Sequence, residues 1–190
     1  MEENIRLQKK TYNIFSWEGL GDIKGGRENL GEYMPVLFYR LLEYTMLDVL
    51  VNEYGPDKAS ELFFKAGHKA GIALAQNTLD LNKDFDGFVG QLGQVLEDNL
   101  LGILKIEEFH REKLSFILTI SQDLDCSGLE STGEVVCHYD EGLISGIMEA
   151  YTGKNFQSKR LIVGQMAMEH VVLEGKLYNK KHVSLDLSGI

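Results

Sequence analysis

The sequence predicts an α+β fold, an antiparallel sheet packed against a layer of helices in a two-layer sandwich, and three observations predict it. Apolar residues recur at spacings of three and four through much of the first hundred residues, as they do on the buried face of a helix. Beyond that stretch the period drops to two, as in strands with one buried face. The segments then come in blocks of helices, hairpin, helix and hairpin, an order that favours antiparallel pairing over alternating strand and helix.

Taken in order, residues 19–31 (GLGDIKGGRENLG) hold five glycines and few apolar groups, so an irregular segment, 1–31, is expected before the domain proper. From Tyr33 to Tyr54, Met34, Leu37, Leu41, Tyr44, Leu47 and Val51 mark one face of a first helix. Gly55 can take a left-handed cap, Pro56 forbids continuation, and Asp57 can cap a second helix lined by Ala59, Phe63, Ala66, Ala70 and Leu74. A third helix follows the polar break 80–83 and is marked by Phe85, Phe88, Leu92, Val95 and Leu96. Leu114, Phe116, Leu118 and Ile120 alternate with Ser115, Ile117 and Thr119, and GILKIEEF pairs with them across His110 to Lys113. A loop from Gln122 to Glu134 leads into a fourth helix, about Cys137 to Thr152, stopped by Gly153. Arg160 to Val163 and Met166 to Glu174 are expected to pair across Gly164 and Gln165, with His170 among the strand residues. The domain spans 32–178, and 179–190 is a C-terminal tail.

The chain has 190 residues, 44% hydrophobic and 25% charged, which suits one globular domain with a real core. Lys and Arg number 19 against 29 Asp and Glu, a net charge of −10, so nucleic acid and anionic membranes would be repelled and are not expected as partners. No apolar run is long enough for a membrane span, and the start MEENIRLQKK lacks a signal-peptide core. A cytoplasmic address is expected. Cys126 and Cys137 are too few for a disulfide framework and would be buried, reactive or metal-binding thiols.

Chemistry-bearing signals are sparse. The phosphate-cradling, dinucleotide, nucleophile-elbow and zinc-protease motifs are absent, and no enzyme is expected. Glu107 with Glu108, and Asp140 with Glu141, are adjacent carboxylates that ordinarily face water. Cys126, Cys137 and His138, with His68 and His170 elsewhere, are ligand types zinc favours, but their spacing matches no standard zinc knuckle. Gly67 with Gly71, and Gly142 with Gly146, sit four apart on single helix faces. Two readings stand: close helix packing, or room for a ligand between helices and sheet.

The runs FKAGHKAGIALA (Phe64 to Ala75), LEDNLLGILKIEEFHREKLSFILTIS (Leu96 to Ser121) and CSGLESTGEVVCHYDEGLISGIMEAYTGK (Cys126 to Lys154) resemble the 4-vinyl reductase domain family, predicted hydrocarbon-binding proteins. The resemblance runs from about Gly31 to Leu173 and is most specific at Cys137-His138-Tyr139 followed by Gly142 and Gly146. It implies the sandwich of transport-particle subunits and of the sensory domains of phenol-responsive transcription activators, in one superfamily of NO-signalling and Golgi-transport ligand-binding domains. It also implies an internal cavity for a small aromatic, hydrocarbon or acyl ligand. Walls for it are expected from Phe63, Phe64, Gly67, Gly71, Cys137, Tyr139, Gly142, Leu143, Gly146 and Ile147. The family's zinc-binding Glu and Cys positions correspond here to Gln157, Arg160 and Met168, so only Cys137 is kept and no zinc or other cofactor is expected. The function expected is a non-catalytic carrier or sensor. The alternatives are a scaffolding subunit with a filled cavity and an accessory protein of vinyl-tetrapyrrole reduction, and a homodimer fits either the binding or the scaffolding role.

Overall fold

The structure, a computed structural model, describes residues 15–110, 112–113, 115–129, 138–161 and 170–177. The chain divides into two compact units, Met1–Met34 and Pro35–Ile190. In the first, a single 3-10 turn at Glu18–Leu20 precedes the short α1 (Ile23–Gly26), whose Asp22 cap accepts a hydrogen bond from the Gly25 amide. The glycine-rich segment thus holds two one-turn helices where irregular chain is expected.

The second unit has the expected α+β architecture. Helices α2 (Val36–Tyr54), α3 (Pro56–Thr78) and α4 (Phe85–Asp98) lead into β1 (Ile103–His110) and β2 (Ser115–Ser121). Then come α5 (His138–Thr152), β3 (Phe156–Leu161) and β4 (His170–Leu177). Gly55 takes φ +81° between α2 and α3, with Pro56 at the start of α3. Asp57 lies inside the first turn of α3 and Gly55 holds the cap position. Asp84 caps α4 by accepting from the Gly87 amide at 3.0 Å.

The four strands form one antiparallel sheet in the order β1-β2-β4-β3. The two hairpins expected separately are therefore joined edge to edge, with Leu118 opposite Leu173. In the β3–β4 pair Leu161 stands opposite Val172, a register four residues from the one a turn at Gly164 and Gln165 would set. Those two turn residues, like Leu114, Met166 and Met168, lie outside the described residues.

Phe116, Leu118, Ile120, Phe156 and Leu173 form the buried side of the sheet and pack with Phe88, Leu92, Leu96, Ile144, Ile147 and Met148. Gly175 is required beneath the Phe116 ring, because a Cβ there would lie 2.3 Å from the ring carbon Cζ. The edge strand β3 is fixed to α5 by hydroxyls. Ser145 Oγ accepts from the Ser158 amide at 2.7 Å and donates to Glu141 O, which also accepts from Ser158 Oγ.

Helix α5 has the sheet on one side and α3 on the other, which is why it is buried on two faces. The buried stripe of α3 is Ala59, Phe63, Gly67, Gly71 and Ala75. It is turned by about one residue from the expected stripe, leaving Ala66 exposed. The reason is the contact with α5. A Cβ on Gly67 or Gly71 would lie 2.0 and 2.1 Å from the carbonyl oxygens of Tyr139 and Leu143. On Gly142 or Gly146 it would lie 2.1 Å from those of Phe64 and His68. Each glycine of one helix thus faces the backbone of the other. His68 Nε2 and Glu149 Oε2, 3.1 Å apart, join the same two helices.

Helix α2 differs most from expectation: none of its residues is buried, and Leu37 and Leu41 of its predicted core face are 72% and 56% exposed. Among the described residues no helix is long and apolar enough to cross a membrane.

The helix contact yields a direct test. Gly146→Ala should lower the unfolding free energy by about 1–3 kcal/mol or more, since overpacking against backbone has nowhere to relax. Gly90→Ala, whose Cβ meets nothing within 4 Å on α4, should raise it by about 0.5–1 kcal/mol. Urea unfolding of the two variants beside the wild type decides both.

Candidate functional site

The chemically unusual region is built by the loop after β2, the first turn of α5 and the polar side of α2. The chain leaves β2 through Gln122, which takes φ +53°. Asp123 then winds the next turn: its Oδ1 accepts from the amides of Asp125 and Cys126 at 2.9 Å and from Cys126 Sγ at 3.2 Å. Arg40 of α2 holds the loop from outside. Its Nε donates to Leu124 O at 2.8 Å and its Nη2 to Ser127 O at 2.9 Å, while Tyr44 Oη donates to Asp125 O at 3.1 Å.

Four carboxyl groups meet here, those of Glu43, Asp123, Asp125 and Asp140. Asp123, Asp125 and Asp140 are 5%, 4% and 7% exposed. Arg40 spends its donors on loop carbonyls, and among the described residues no Lys, Arg or His forms an ion pair with any of the four. Among the described residues, one oxygen each of Glu43, Asp125 and Asp140 meets no hydrogen-bond donor. Carboxylate oxygens set against other carboxylates find no donor unless a proton or a cation lies between them.

The electrostatics follow from that crowding. Burial, and then the neighbouring Asp125 and Asp123, push the Glu43 carboxyl up to about 8. Burial is the leading cause for Asp123, Asp125 and Asp140 as well, each held above the usual carboxylate range. The phenols of Tyr39 and Tyr139 are pushed up by burial and then by Asp125.

Next to these acids is a cavity of about 40 Å3, room for about three waters. Tyr39, Asp123, Asp125, Tyr139 and Asp140 form its polar wall, and Leu96, Leu101, Ile120, Leu124, Leu143 and Ile144 its apolar wall.

Of the residues expected to wall a cavity, Tyr139 and Leu143 line this one. Gly67, Gly71, Gly142 and Gly146 face helix backbone, so of their two readings the geometry fits close packing. Phe63 is buried on α3, Phe64 stacks on His68 at 6.3 Å between centroids, and Ile147 is fully buried in the core. Cys137 lies outside the described residues. His138 Nδ1 and Glu141 Oε2 are 3.1 Å apart, while Gln157 is exposed on β3. His170 and Arg160 occupy backbone positions opposite Ser121 and Leu173. Glu107 and Glu108 are exposed as expected, whereas Asp140 and Glu141 are buried on the covered side of the first turn of α5.

Sequence reasoning missed Tyr39, Arg40, Glu43, Asp123 and Asp125. A signal was present in Asp123-Leu124-Asp125-Cys126, two acids flanking an apolar residue directly after a buried strand. Tyr39, Arg40, Glu43 and Tyr44 likewise share one side of α2 at helical spacing.

No family model matches the chain. The uncharacterized protein MJ0150 of Methanocaldococcus jannaschii is 22% identical over 82 residues, which are 43% of this chain and 46% of that protein. The chain thus matches less than half the length of this relative. Several solved structures share the fold. The phenol-responsive sensory domain of the transcription activator PoxR, with phenol, superposes with TM-score 0.61 at 16% identity over 77% of each chain. A vinyl-4-reductase family protein of Methanocaldococcus jannaschii gives 0.55 at 15% identity over 79% of this chain and 85% of that one. Subunit 3 of a trafficking protein particle complex from Naegleria fowleri, covalently bound to palmitic acid, gives 0.59 at 10% identity over 76% and 95%. The fold implied by the sequence resemblance is therefore the fold of this chain.

The raised carboxyls set the sign of a pH effect. A group whose folded pKa exceeds its unfolded value binds more protons in the native state, so its contribution is full below the unfolded pKa and is lost as pH rises through the folded one. For Glu43 that window runs from the ordinary 4.5 to about 8. Stability should fall across it, and Glu43→Gln should flatten the fall. Urea midpoints near the two ends of the window check the sign.

Proposed function

We propose that this chain is a small-molecule-binding domain, a sensor or carrier without catalytic chemistry of its own. The observation that carries the reading is the cavity among α2, the end of α4, the loop after β2 and α5, apolar on one side and phenolic and acidic on the other. Pockets of this composition bury the body of a ligand against aliphatic side chains and fix its orientation through a few polar groups. Phenol in the PoxR sensory domain and palmitic acid on the trafficking subunit, as those structures are described, lend support through the shared fold.

The wall chemistry narrows the ligand. Carboxyl and phenol groups favour a hydrogen-bond donor or a positive charge and disfavour an anionic head. The ligand is thus a small apolar body carrying a hydroxyl or amine, and a free fatty acid is a poor fit. At about 40 Å3 the space is smaller than the ~150 Å3 that accepts benzene, so a ring-sized ligand displaces the half-buried Tyr39, Tyr139 and Leu143.

A second reading rests on α2. Val36, Leu37, Phe38, Leu41, Leu42, Met46 and Val49 are all 46% exposed or more, an apolar face that a second copy of the chain would cover in a homodimer. Leu37→Glu combined with Met46→Glu should then leave the chain monomeric in light scattering, with its circular dichroism unchanged.

Native mass spectrometry, with extraction of whatever travels with the protein, tests the binding reading. The expected result is a stoichiometric apolar compound released on unfolding. Leu143→Trp, which fills the cavity, should lose it and should abolish the thermal stabilisation that phenols or small aryl amines give the wild type. Equal stabilisation of the wild type and Leu143→Trp would remove the cavity as the binding site.

A further inference from the structure

The loop after β2 and the first turn of α5 bring one carboxylate oxygen each of Asp123 and Asp140, and Cys126 Sγ, within 4.8 Å of one another. All three residues are buried. The sulfur is 3.2 Å from Asp123 Oδ1, near the ~3.6 Å edge that sulfur and oxygen ligands make around one tetrahedral zinc ion. A second observation points to a cation. Asp125 and Asp140 are 4% and 7% exposed, and among the described residues Oδ2 of each meets no hydrogen-bond donor. Both residues line the cavity. Buried carboxylates are ordinarily paired or bound to metal, and here Arg40 is turned to loop carbonyls.

We propose that Asp123, Cys126 and Asp140 bind one divalent transition-metal ion of the zinc class, with its fourth position open to the cavity. A thiolate and two carboxylates suit a borderline ion. Calcium and magnesium are hard ions that take oxygen ligands and leave a thiolate sulfur unused. On binding, the Cys126 thiol releases its proton to solvent, as does any carboxyl still protonated. Asp125, beside Asp140, accepts from a water on the ion. The set shares no residue with Cys137, Gln157, Arg160 and Met168, on which the expectation of no zinc was based. It does not depend on the small-molecule reading, since the metal can be assayed alone.

Cobalt(II) titration of the full chain under reducing conditions is the test, read by the thiolate-to-cobalt charge-transfer band in the near ultraviolet and reversed by zinc. One equivalent should produce the band. Cys126→Ser should abolish it, Asp140→Asn should weaken binding by about tenfold or more, and Cys137→Ser should leave band and affinity unchanged. Should Cys126→Ser fail to fold, the Asp140→Asn and Cys137→Ser pair decides. No thiolate band at saturating cobalt would overturn the proposal and leave a shared proton between Asp125 and Asp140 as the occupant. A band lost in Cys137→Ser would also overturn it, by moving the metal to the other thiol.

Discussion

The rest of the structure depends on the backbone contact between α3 and α5. Four glycines remove the side chains that would hold these helices apart, and each faces a carbonyl of the other helix. Glycine costs a helix interior about 0.5–1 kcal/mol per residue relative to alanine, so the two helices are intrinsically weak and gain their stability from each other. Close approach also places α5 between α3 and the sheet, with Ile144, Ile147 and Met148 turned to the core and the glycines turned to α3. One helix thereby sets the position of both layers.

That placement accounts for the acidic site. A helix buried on two faces buries its first turn too, so Asp140 and Glu141 lose the solvent that such residues ordinarily keep. Glu141 finds His138, and its carbonyl takes the Ser145 and Ser158 hydroxyls. Asp140, among the described residues, finds Asp123, Asp125 and Cys126. The loop after β2 brings Asp123 and Asp125 to the same place because Asp123 folds that loop around its own side chain. Charge crowding is thus a by-product of two local solutions, a turn and a helix start, pressed together by the sheet. The cavity is a consequence of the same misfit, since four carboxyl groups cannot close on one another as aliphatic side chains do.

Different parts of the molecule were legible to different degrees. Phe116, Leu118 and Ile120 alternate cleanly and lie buried on β2, since a strand with one face in the core leaves a period of two that nothing else imitates. Phe85, Phe88, Leu92 and Leu96 likewise mark the buried side of α4. On α3 the apolar stripe was readable but displaced by about one residue, because hydrophobicity counts Ala66 and Ala70 and gives no weight to the glycines that make the contact. The apolar content of α2 announces a helix without saying which side is covered. Of the residues expected from the sequence as cavity walls, Tyr139 and Leu143 line it. Asp123, Asp125 and Glu43 read as ordinary polar residues until their burial is known.

By itself the sequence determined the element types, their approximate limits and the fold class. Those depend on periodicity, caps and breakers, which act between residues close along the chain. The glycine spacing also announced that something approaches α3 and α5 closely. What approaches was decided only by tertiary structure, and so were the joining of two hairpins into one sheet, the register of β3 on β4 and the meeting of Glu43, Asp123, Asp125 and Asp140. The physical reason is range. Charge interaction and desolvation depend on neighbours that are up to about a hundred residues away in the chain, and a carboxylate carries no mark of whether it will face water or another carboxylate.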